Sequence, residues 1–417
     1  MFYYLIHNRL VVSLEPLNQF KEIGETQAKT IPGKVYFAYR KDPERFRRSF
    51  ALTDISLVFL EEEGINLLVS PEKVNDYPIA PWIRKRINDG LATAVNIAYP
   101  NWQNVLINKL PDDQWRINII GLGDVGGTLL SGLRLLGGKK IRVIGIYDQD
   151  RKKVDRWVYE ANQILAPFCD TDYPQVIGIS QGDIFNCDIF VFCVSAGVPP
   201  VGQEEKDVRL AQLEGNARIV KFYAQMARET GFPGIFAVMS DPVDLLCRSA
   251  FDASNRDEKG SKDYLGLAPE QIRGYGLGVM NARAAYYAQK KPETKRYLSE
   301  GRAYGPHGDG LVIANSIENY DDILSQYLTE KACKANLKVR SLGFKPYVAP
   351  ALSSGALPLL ATMEGKWHYS ATFMGGVFMG AKNRLTPAGT ELERLPLPEK
   401  LINRLQDTYE RLGRYQG

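Results

Sequence analysis

The sequence predicts an α/β fold in which a doubly wound parallel sheet is followed by an α+β domain and preceded by a small N-terminal α/β domain. Three observations support this prediction. Residues 116–150 read as a strand, a glycine turn, a helix and a second strand; apolar runs alternate with helical segments up to about residue 246; and β-rich runs around glycines follow. Strands that alternate with helices indicate right-handed crossovers, and therefore a parallel sheet.

Length and composition bound the number of domains and the class of protein. A chain of 417 residues is too long for one ordinary hydrophobic core, and we predict three domains over residues 1–115, 116–246 and 247–417. The hydrophobic fraction of 45% indicates a folded, soluble protein. With 52 basic and 48 acidic side chains the net charge is only +4, so no nucleic-acid partner is expected.

Cysteine usage and the N-terminus indicate the compartment. The five cysteines form neither a CxxC pair nor a Cys/His metal spacing, so no metal is expected, and an odd number suits a reducing compartment. The start, MFYYLIHNRLVVSLEPL, lacks the basic end and cleavage site of a signal peptide, and no apolar run approaches the length of a membrane span. We therefore predict a cytoplasmic protein with no membrane partner.

The N-terminal domain shows structure without recognisable chemistry. It contains alternating apolar runs such as VYFAYR and ISLVFL. The stretch IAPWIRKRINDGLATAVNIA, residues 79–98, predicts a helix with Pro81 near its start, where proline is well tolerated. LINKLPDDQW, about 106–115, predicts a linker. Oligomer contacts and regulation are both open as roles of this domain.

The most informative stretch is RINIIGLGDVGGTLLSGLRLLGGKKIRVIGIYDQD, residues 116–150. Its first glycine would permit a sharp turn after the strand, the second would let the backbone approach a pyrophosphate, and the third would allow close helix packing. The helix start would offer free N–H groups and a positive dipole end to phosphates. The predicted cofactor-binding residues of this turn are Gly121, Gly123, Asp124, Val125 and Gly126.

An acid follows at the end of the second apolar run. Asp148 lies 27 positions after Gly121, and an acid near this spacing typically hydrogen-bonds the ribose diol of a dinucleotide, which favours NAD over NADP. The strand, the turn, the helix and this acid agree with one another. We therefore predict a Rossmann-type NAD site; the alternative is a plain turn between a strand and a helix.

A further part of the cofactor site is predicted after the apolar run in DIFVFCVSAGVPP, residues 188–200. The small residues Ser195, Ala196 and Gly197 would let a cofactor lie against the C-terminal end of this strand, where open parallel sheets bind ligands. A charged loop, the helix LAQLEGNARIVKFYAQMARETG and the run IFAVMSDPVDLL continue the alternation. The whole segment therefore predicts the doubly wound sheet.

The pattern changes from about residue 247. QIRGYGLGVMNARAAYYAQ predicts a glycine turn entering a helix, and AYGPHGDGLV predicts a loop around a histidine. WHYSATFMGGVFMGAKNRL has the composition of a hairpin, and LPLPEKLINRLQDTYERLG predicts a closing amphipathic helix. These elements predict an α+β domain.

Taken in order, these pieces resemble the lactate and malate dehydrogenase family over roughly residues 116–415. The series comprises GLGDVG, Asp148, VSAGVPP, NARIV, MSDPVDLL, the glycine turn into Arg283, GPHGDG and GVFMGAKNRL with its terminal helix. Any one piece is weak, but the ordered series is strong, at the level of a distant paralogue. The resemblance does not extend to the N-terminal domain, and it implies an NAD-dependent dehydrogenase that forms a homo-oligomer.

The resemblance also implies roles for individual side chains. His307 matches the family's proton donor and acceptor, and imidazole suits this work because its ordinary pKa is roughly 6.5. Arg283 matches the arginine that binds the substrate carboxylate, and Arg209 the mobile-loop arginine that polarises the substrate carbonyl. The alternatives are a hydrogen-bonded loop histidine and solvated arginines. His368, beside Trp367, is expected to be structural.

The sequence departs from the family's pattern in three ways. Met280 stands where the family has the aspartate that orients the catalytic histidine, and Pro199 and Pro200 replace a specificity arginine. Asp241 replaces an asparagine, and an ionised carboxylate can accept hydrogen bonds but cannot donate them. We expect Asp241 either to face a cationic or hydroxyl-donating substrate or to supply the missing partner of His307. The alternative is a turn-forming Asp-Pro pair, with the cis bond that the family implies.

These residues predict an NAD-dependent oxidoreductase that moves hydride between the nicotinamide and a small carboxylate-bearing 2-hydroxy or 2-oxo acid, or an amino or imino acid. The alternative is a catalytically inactive NAD(H)-binding sensor or regulatory protein, which the methionine at position 280 favours. An NAD-dependent glycosidase of related fold fits less well, because the HGD loop matches the dehydrogenases better and the sequence shows no Cys/His metal pair.

Overall fold

The structure is a computed structural model that describes residues 1–71, 79–111, 113–168, 172–196 and 208–415, with only the backbone of residues 208–212. Strands and helices alternate through most of this part of the chain. None of its helices combines the length and the apolar character needed to cross a membrane.

The N-terminal part is a small mixed α/β unit, as the sequence predicted. Its elements are β1 (Phe2–Ile6), β2 (Arg9–Ser13), α1 (Glu25–Thr30), β3 (Val35–Tyr39), β4 (Ser49–Ala51), α2 (Pro81–Asn88), β5 (Ala92–Asn96) and α3 (Asn104–Ile107). The five strands pair in the order β1-β2-β3-β5-β4. Of the two alternating apolar runs, VYFAY forms β3, whereas ISLV forms a short 3-10 helix.

The predicted helix over residues 79–98 is wrong in its second half. Helix α2 ends at Asn88, and β5 begins at Ala92 after an interval of three residues, where the sequence predicted continuous helix. Gly90 has a φ of +70°, its N–H donates to the carbonyl of Ile87, and the N–H of Leu91 donates to the carbonyl of Arg86. This glycine cap satisfies the last helical carbonyls and turns the chain, which the apolar periodicity alone did not reveal.

The middle of the chain alternates strands and helices. Its elements are β6 (Trp115–Ile120), α4 (Asp124–Leu136), β7 (Ile141–Tyr147), α5 (Arg151–Asn162), β8 (Gln175–Gly178), β9 (Ile189–Phe192), α6 (Val208–Glu229), β10 (Ile235–Val238), α7 (Val243–Ser254) and β11 (Ile272–Gly274). All these strands pair in parallel, in the order β8-β7-β6-β9-β10-β11. This is the strand order of a Rossmann fold, with its topological switch point between β6 and β9.

The C-terminal part extends the same sheet. Its elements are α8 (Leu277–Ala288), α9 (Tyr297–Glu300), β12 (Arg302–Tyr304), β13 (Val312–Ala314), α10 (Asp322–Ser341), α11 (Leu357–Met363), β14 (His368–Met374), β15 (Val377–Thr386), β16 (Gly389–Leu392) and α12 (Glu399–Gly413). Strand β14 pairs antiparallel with β11, and β15 and β16 continue outward, so nine strands form one sheet. The predicted hairpin and closing helix are present as β14–β15 and α12.

Contacts tie the N-terminal unit to this sheet both before β11 and at its outer edge. Arg48 forms an ion pair with Glu270 at 2.8 Å, and the hydroxyl of Thr93 donates to the carbonyl of Ala388, in the turn between β15 and β16, at 2.8 Å. The predicted boundary after residue 246 falls inside α7, across which the packing is continuous. The division into three domains stays a prediction.

Candidate active site

The glycine turn after β6 has the geometry that a dinucleotide site needs. Gly121 has a φ of +91°, and a Cβ on it would lie 3.0 Å from the backbone carbon of Cys193. A Cβ on Gly126 would lie 1.9 Å from the carbonyl oxygen of Gly121, so only glycine lets α4 pack on the turn. At Gly123, by contrast, a Cβ would meet nothing within 4 Å. The turn is therefore tightly packed inside and open where a phosphate would approach the backbone.

Asp148, at the end of β7, is fastened to this turn. Its Oδ2 accepts a hydrogen bond from the N–H of Leu122 at 2.8 Å, and its Oδ1 accepts one from the N–H of Asp150 at 3.0 Å. Lys153 lies 3.7 Å from Oδ1 and the carboxylate side chain is only 14% exposed. Each oxygen has a second lone pair, so a ribose hydroxyl can still donate to the carboxylate.

A buried asparagine links the ends of β9 and β10. The Oδ1 of Asn216 accepts a hydrogen bond from the N–H of Ala196, and its Nδ2 donates to the carbonyl of Asp241, both at 2.7 Å. The residue is 2% exposed. Asn216 belongs to the NARIV helix, and its role is not predictable from sequence because an asparagine inside an amphipathic helix has no distinctive spacing. These two hydrogen bonds fix the loop after β9 relative to the backbone of Asp241.

The structure brings His307 and Asp241 together. His307 lies in the loop between β12 and β13, Asp241 follows β10, and their Nδ1 and Oδ1 atoms are 2.9 Å apart. The peptide bond between Asp241 and Pro242 is cis, as the resemblance implied. The histidine side chain is 16% exposed and the aspartate side chain 44% exposed. Met280 is 1% exposed, so the carboxylate beside the imidazole comes from the β10 loop rather than from α8.

A second carboxyl group lies beneath this pair. Asp244, in the first turn of α7, is 4% exposed, and its Oδ1 has no hydrogen-bond partner among the described atoms. Burial raises the pKa of Asp244 to about 8, and the nearby charge of Asp241 adds to the rise, while backbone N–H groups including that of His307 oppose it. This residue was not singled out from the sequence, because its burial depends on how α7 packs against β15.

The two predicted substrate arginines differ in how far the structure describes them. Arg283, on α8, is partly buried and its Nη1 lies 3.4 Å from the sulfur of Met280. Arg209 falls in the first turn of α6, where only the backbone is described. Gly197, Pro199 and Pro200 lie outside the described residues.

One cleft of about 1100 Å³ connects the glycine turn with the His307 loop. The predicted site residues that line it are Gly121, Gly123, Asp124, Val125, Asp148, Ser195, Asp241, Arg283 and His307. Ala196 and Gly126 are not among the lining residues: the N–H of Ala196 donates to Asn216, and Gly126 packs against the turn. Among the described residues, the cleft wall contains none from 1–115. The volume and the open glycine backbone fit a bound dinucleotide together with a small substrate.

Other reactive side chains play a different part. His368 is buried against Thr362 and Ser370, and burial lowers its pKa to about 4, which confirms it as a structural histidine. Burial raises the pKa of the Cys193 thiol to about 12, so it is not a nucleophile at neutral pH. In the described segments, no three His, Cys, Asp or Glu side chains are grouped to hold a metal ion.

Comparison with known proteins connects this geometry to one kind of enzyme. No family model matches the chain. An L-lactate dehydrogenase of Shouchella clausii is 28% identical over 215 residues, 51% of this chain and 60% of that protein. L-lactate dehydrogenase 2 of Staphylococcus aureus strain Newman is 26% identical over 326 residues, 71% of this chain and 96% of that protein.

Solved structures agree with the sequence relatives. A lactate dehydrogenase from a deep-sea metagenome library aligns with a TM-score of 0.57 at 19% identity, covering 72% of this chain and 98% of that one. The malate dehydrogenase of Picrophilus torridus aligns with a TM-score of 0.56 at 17% identity, covering 72% and 95%. These alignments confirm the predicted fold and the expected resemblance, and they leave more than a quarter of this chain without a counterpart.

Proposed function

We propose that this chain, a distant relative of the lactate and malate dehydrogenases, is an NAD-dependent oxidoreductase acting on a small carboxylate-bearing 2-hydroxy or 2-oxo acid. The observation that carries the proposal is the contact of 2.9 Å between His307 Nδ1 and Asp241 Oδ1, in the same cleft as the glycine turn. A turn-forming Asp-Pro pair and a merely structural loop histidine would not need to meet there. An imidazole held by a carboxylate is well suited to general acid–base catalysis.

His307 would exchange the proton with the substrate, and Asp241 would orient the ring and stabilise its charged form. An ionised Asp241 can only accept, so the contact places a hydrogen on Nδ1 and leaves Nε2 to exchange a proton with the substrate oxygen. When His307 takes up a proton, the adjacent carboxylate stabilises the imidazolium. Asp241 thereby orients the ring and stabilises the imidazolium, which the thioether of Met280 cannot do.

The remaining residues bind and orient. The α4 N-terminus and the open backbone at Gly123 would hold the pyrophosphate, and Asp148 would accept from a ribose hydroxyl. When bound, the nicotinamide supplies or accepts the hydride. Arg283 would grip the substrate carboxylate through two parallel hydrogen bonds. Closure of a loop by Arg209 stays a prediction, as does assembly into a homo-oligomer.

The nature of the substrate's reacting group depends on Asp241. Of the two roles expected for it, the 2.9 Å contact supports that of partner to His307, which favours a carbonyl or hydroxyl substrate. The side chain is nevertheless 44% exposed in the cleft, and a carboxylate there also attracts a cationic amino or imino group. Amino or imino acids are therefore the second substrate class that we propose.

A catalytically inactive NAD(H) sensor is the second candidate function. The observation that favours it is the attachment of the N-terminal unit to the β15–β16 turn through Thr93 and to Glu270, just before β11, through Arg48, with no described residue of that unit in the cleft wall. Such a unit would respond to the cleft indirectly, through the sheet and through α7, whose Arg248 pairs with Glu44. Binding of NAD(H) without turnover on any substrate would favour this candidate.

The proposal is tested in two steps. NAD, NADH and NADPH are first compared by thermal shift, and a ligand at about 100 times its dissociation constant should stabilise the fold by about 2.7 kcal/mol. We expect NAD and NADH to stabilise the chain and NADPH to do so much less, because Asp148 repels a 2′-phosphate. NADH oxidation is then followed with a panel of 2-oxo acids, with and without ammonium. Dependence on ammonium would identify imine chemistry; no nucleotide binding at all would contradict the proposal.

A further inference from the structure

A second segment of the chain approaches the glycine turn from across the cleft. It is the loop 342–349, which joins α10 to the π-helical segment Pro350–Ala356. Gly343 has a φ of +85°, its N–H donates to the carbonyl of Arg340, and the N–H of Phe344 donates to the carbonyl of Val339. This glycine cap sets the direction in which the loop leaves α10, and Lys345 then lines the cleft.

Lys345 reaches the first turn of α4. Its Nζ lies 3.4 Å from Oδ2 of Asp124, although the two residues are 221 positions apart. Both side chains are largely solvent-exposed, at 70% and 50%. An ion pair this exposed and this long adds little to stability, so stability does not account for a lysine at this place.

The charge balance at the glycine turn points to a binding role for Lys345. A pyrophosphate brings about two negative charges, whereas the α4 N-terminus offers the equivalent of about half a positive charge. Asp124, in the same first turn, adds a negative charge where the phosphates would approach. The turn alone is therefore short of positive charge, and the ammonium group already within reach of Asp124 is that of Lys345.

We propose that Lys345 is a binding residue for the pyrophosphate of the cofactor, moving from Asp124 to the phosphate oxygens when the dinucleotide enters. Loop 342–349 is then part of the cofactor site. The inference rests on the proposed function, because it takes a dinucleotide as the occupant of the cleft.

The test compares NADH dissociation constants, measured by fluorescence titration, for the wild type, Lys345→Ala, Asp124→Asn and the control Lys334→Ala. Lys334 is an exposed lysine on α10 that pairs with Glu330, away from the cleft wall. Loss of a charge-assisted hydrogen bond should weaken NADH binding by about tenfold or more in Lys345→Ala. Lys334→Ala should bind as the wild type does, and Asp124→Asn should bind more tightly because a like charge is removed.

Two further readouts locate the effect. Adenosine, which has no phosphate, should bind Lys345→Ala and wild type equally, and the salt dependence of NADH binding should be smaller in the variant because one charge contact is missing. Equal NADH affinity in Lys345→Ala and wild type, or an equal loss for adenosine, would overturn the inference and leave the proposed function standing. A wild type that binds no NADH would overturn both.

Discussion

Replacing Asp241 by asparagine isolates the charge in the proposed proton transfer. The amide has the same shape, and its oxygen can still accept a hydrogen bond from Nδ1 of His307, so the ring should keep its place. What is lost is the negative charge 2.9 Å from the imidazole. Solvent screens the charge of this pair only in part, because the His307 side chain is 16% exposed and the Asp241 side chain is 44% exposed.

The magnitude follows from the kind of bond. Hydrogen bonds that involve a charged group contribute roughly 1.5 to 3 kcal/mol, which corresponds to roughly ten- to hundredfold in rate. We expect Asp241→Asn to lower kcat/KM for 2-oxo acid reduction by about tenfold to fiftyfold, toward the lower half of that range because the aspartate is partly exposed. The NADH dissociation constant should stay unchanged, since the contact does not involve the glycine turn.

Two further variants make the assay decisive. Asp309 lies on the same loop as His307 but pairs with Arg411 at 3.0 Å and is 83% exposed, so Asp309→Asn should change kcat/KM by less than about threefold. Asp241→Asn combined with Met280→Asp restores a carboxylate at the family's position and should recover part of the lost rate. Full activity in Asp241→Asn, or the same loss in Asp309→Asn, would refute the assignment of Asp241 as the partner of His307.

Three other predictions concern the turn, the substrate arginine and the buried carboxyl group. Gly123→Ala should fold normally yet weaken NADH binding, because the added Cβ enters only the open cleft. Gly126→Ala should destabilise the fold by about 1–3 kcal/mol, because its Cβ would lie 1.9 Å from the carbonyl oxygen of Gly121. Melting temperatures that fall equally in the two variants would contradict this prediction. Arg283→Lys should raise KM for the carboxylate substrate by about tenfold, with a smaller effect on kcat, because a lysine cannot form the paired hydrogen bonds; steady-state kinetics showing an unchanged KM would remove Arg283 from the substrate site. Asp244 has a pKa of about 8, above its ordinary value of 3.8, so the folded chain retains that proton and loses stability as the pH rises from about 4 to 8. Asp244→Asn cannot ionise, so over that range its free energy of unfolding should fall with pH more slowly than that of the wild type, by up to about 1.4 kcal/mol per pH unit. Urea unfolding at several pH values measures this. A difference in free energy of unfolding that does not change with pH would contradict the prediction.

Local sequence was sufficient to predict which residues of the glycine turn and the next strand meet at the cleft. The glycine spacing, the flanking apolar runs and Asp148 each have a physical task within about thirty residues of chain, and the structure places them around one cleft. The sequence also limited Asp241 to a few roles, one of which was partner of His307, because the methionine at position 280 left the histidine without a carboxylate.

What the sequence missed depends on packing between distant segments. Asn216 and Asp244 are ordinary polar residues in helices until α6 and α7 dock on the sheet and bury them. Lys345 approaches the glycine turn only because the α10 cap directs its loop there. The helix predicted through Gly90 failed for a local reason, since one glycine with positive φ ends α2 while the apolar periodicity runs on.

The central claim is that His307 transfers the proton while the cofactor is held elsewhere in the same cleft. The direct test compares wild type and His307→Ala in NADH dissociation constant and in NADH oxidation with the best 2-oxo acid from the panel. The account predicts an unchanged dissociation constant and a fall in turnover of at least about a hundredfold, the lower range for general acid–base catalysis. Turnover that survives the substitution would contradict it.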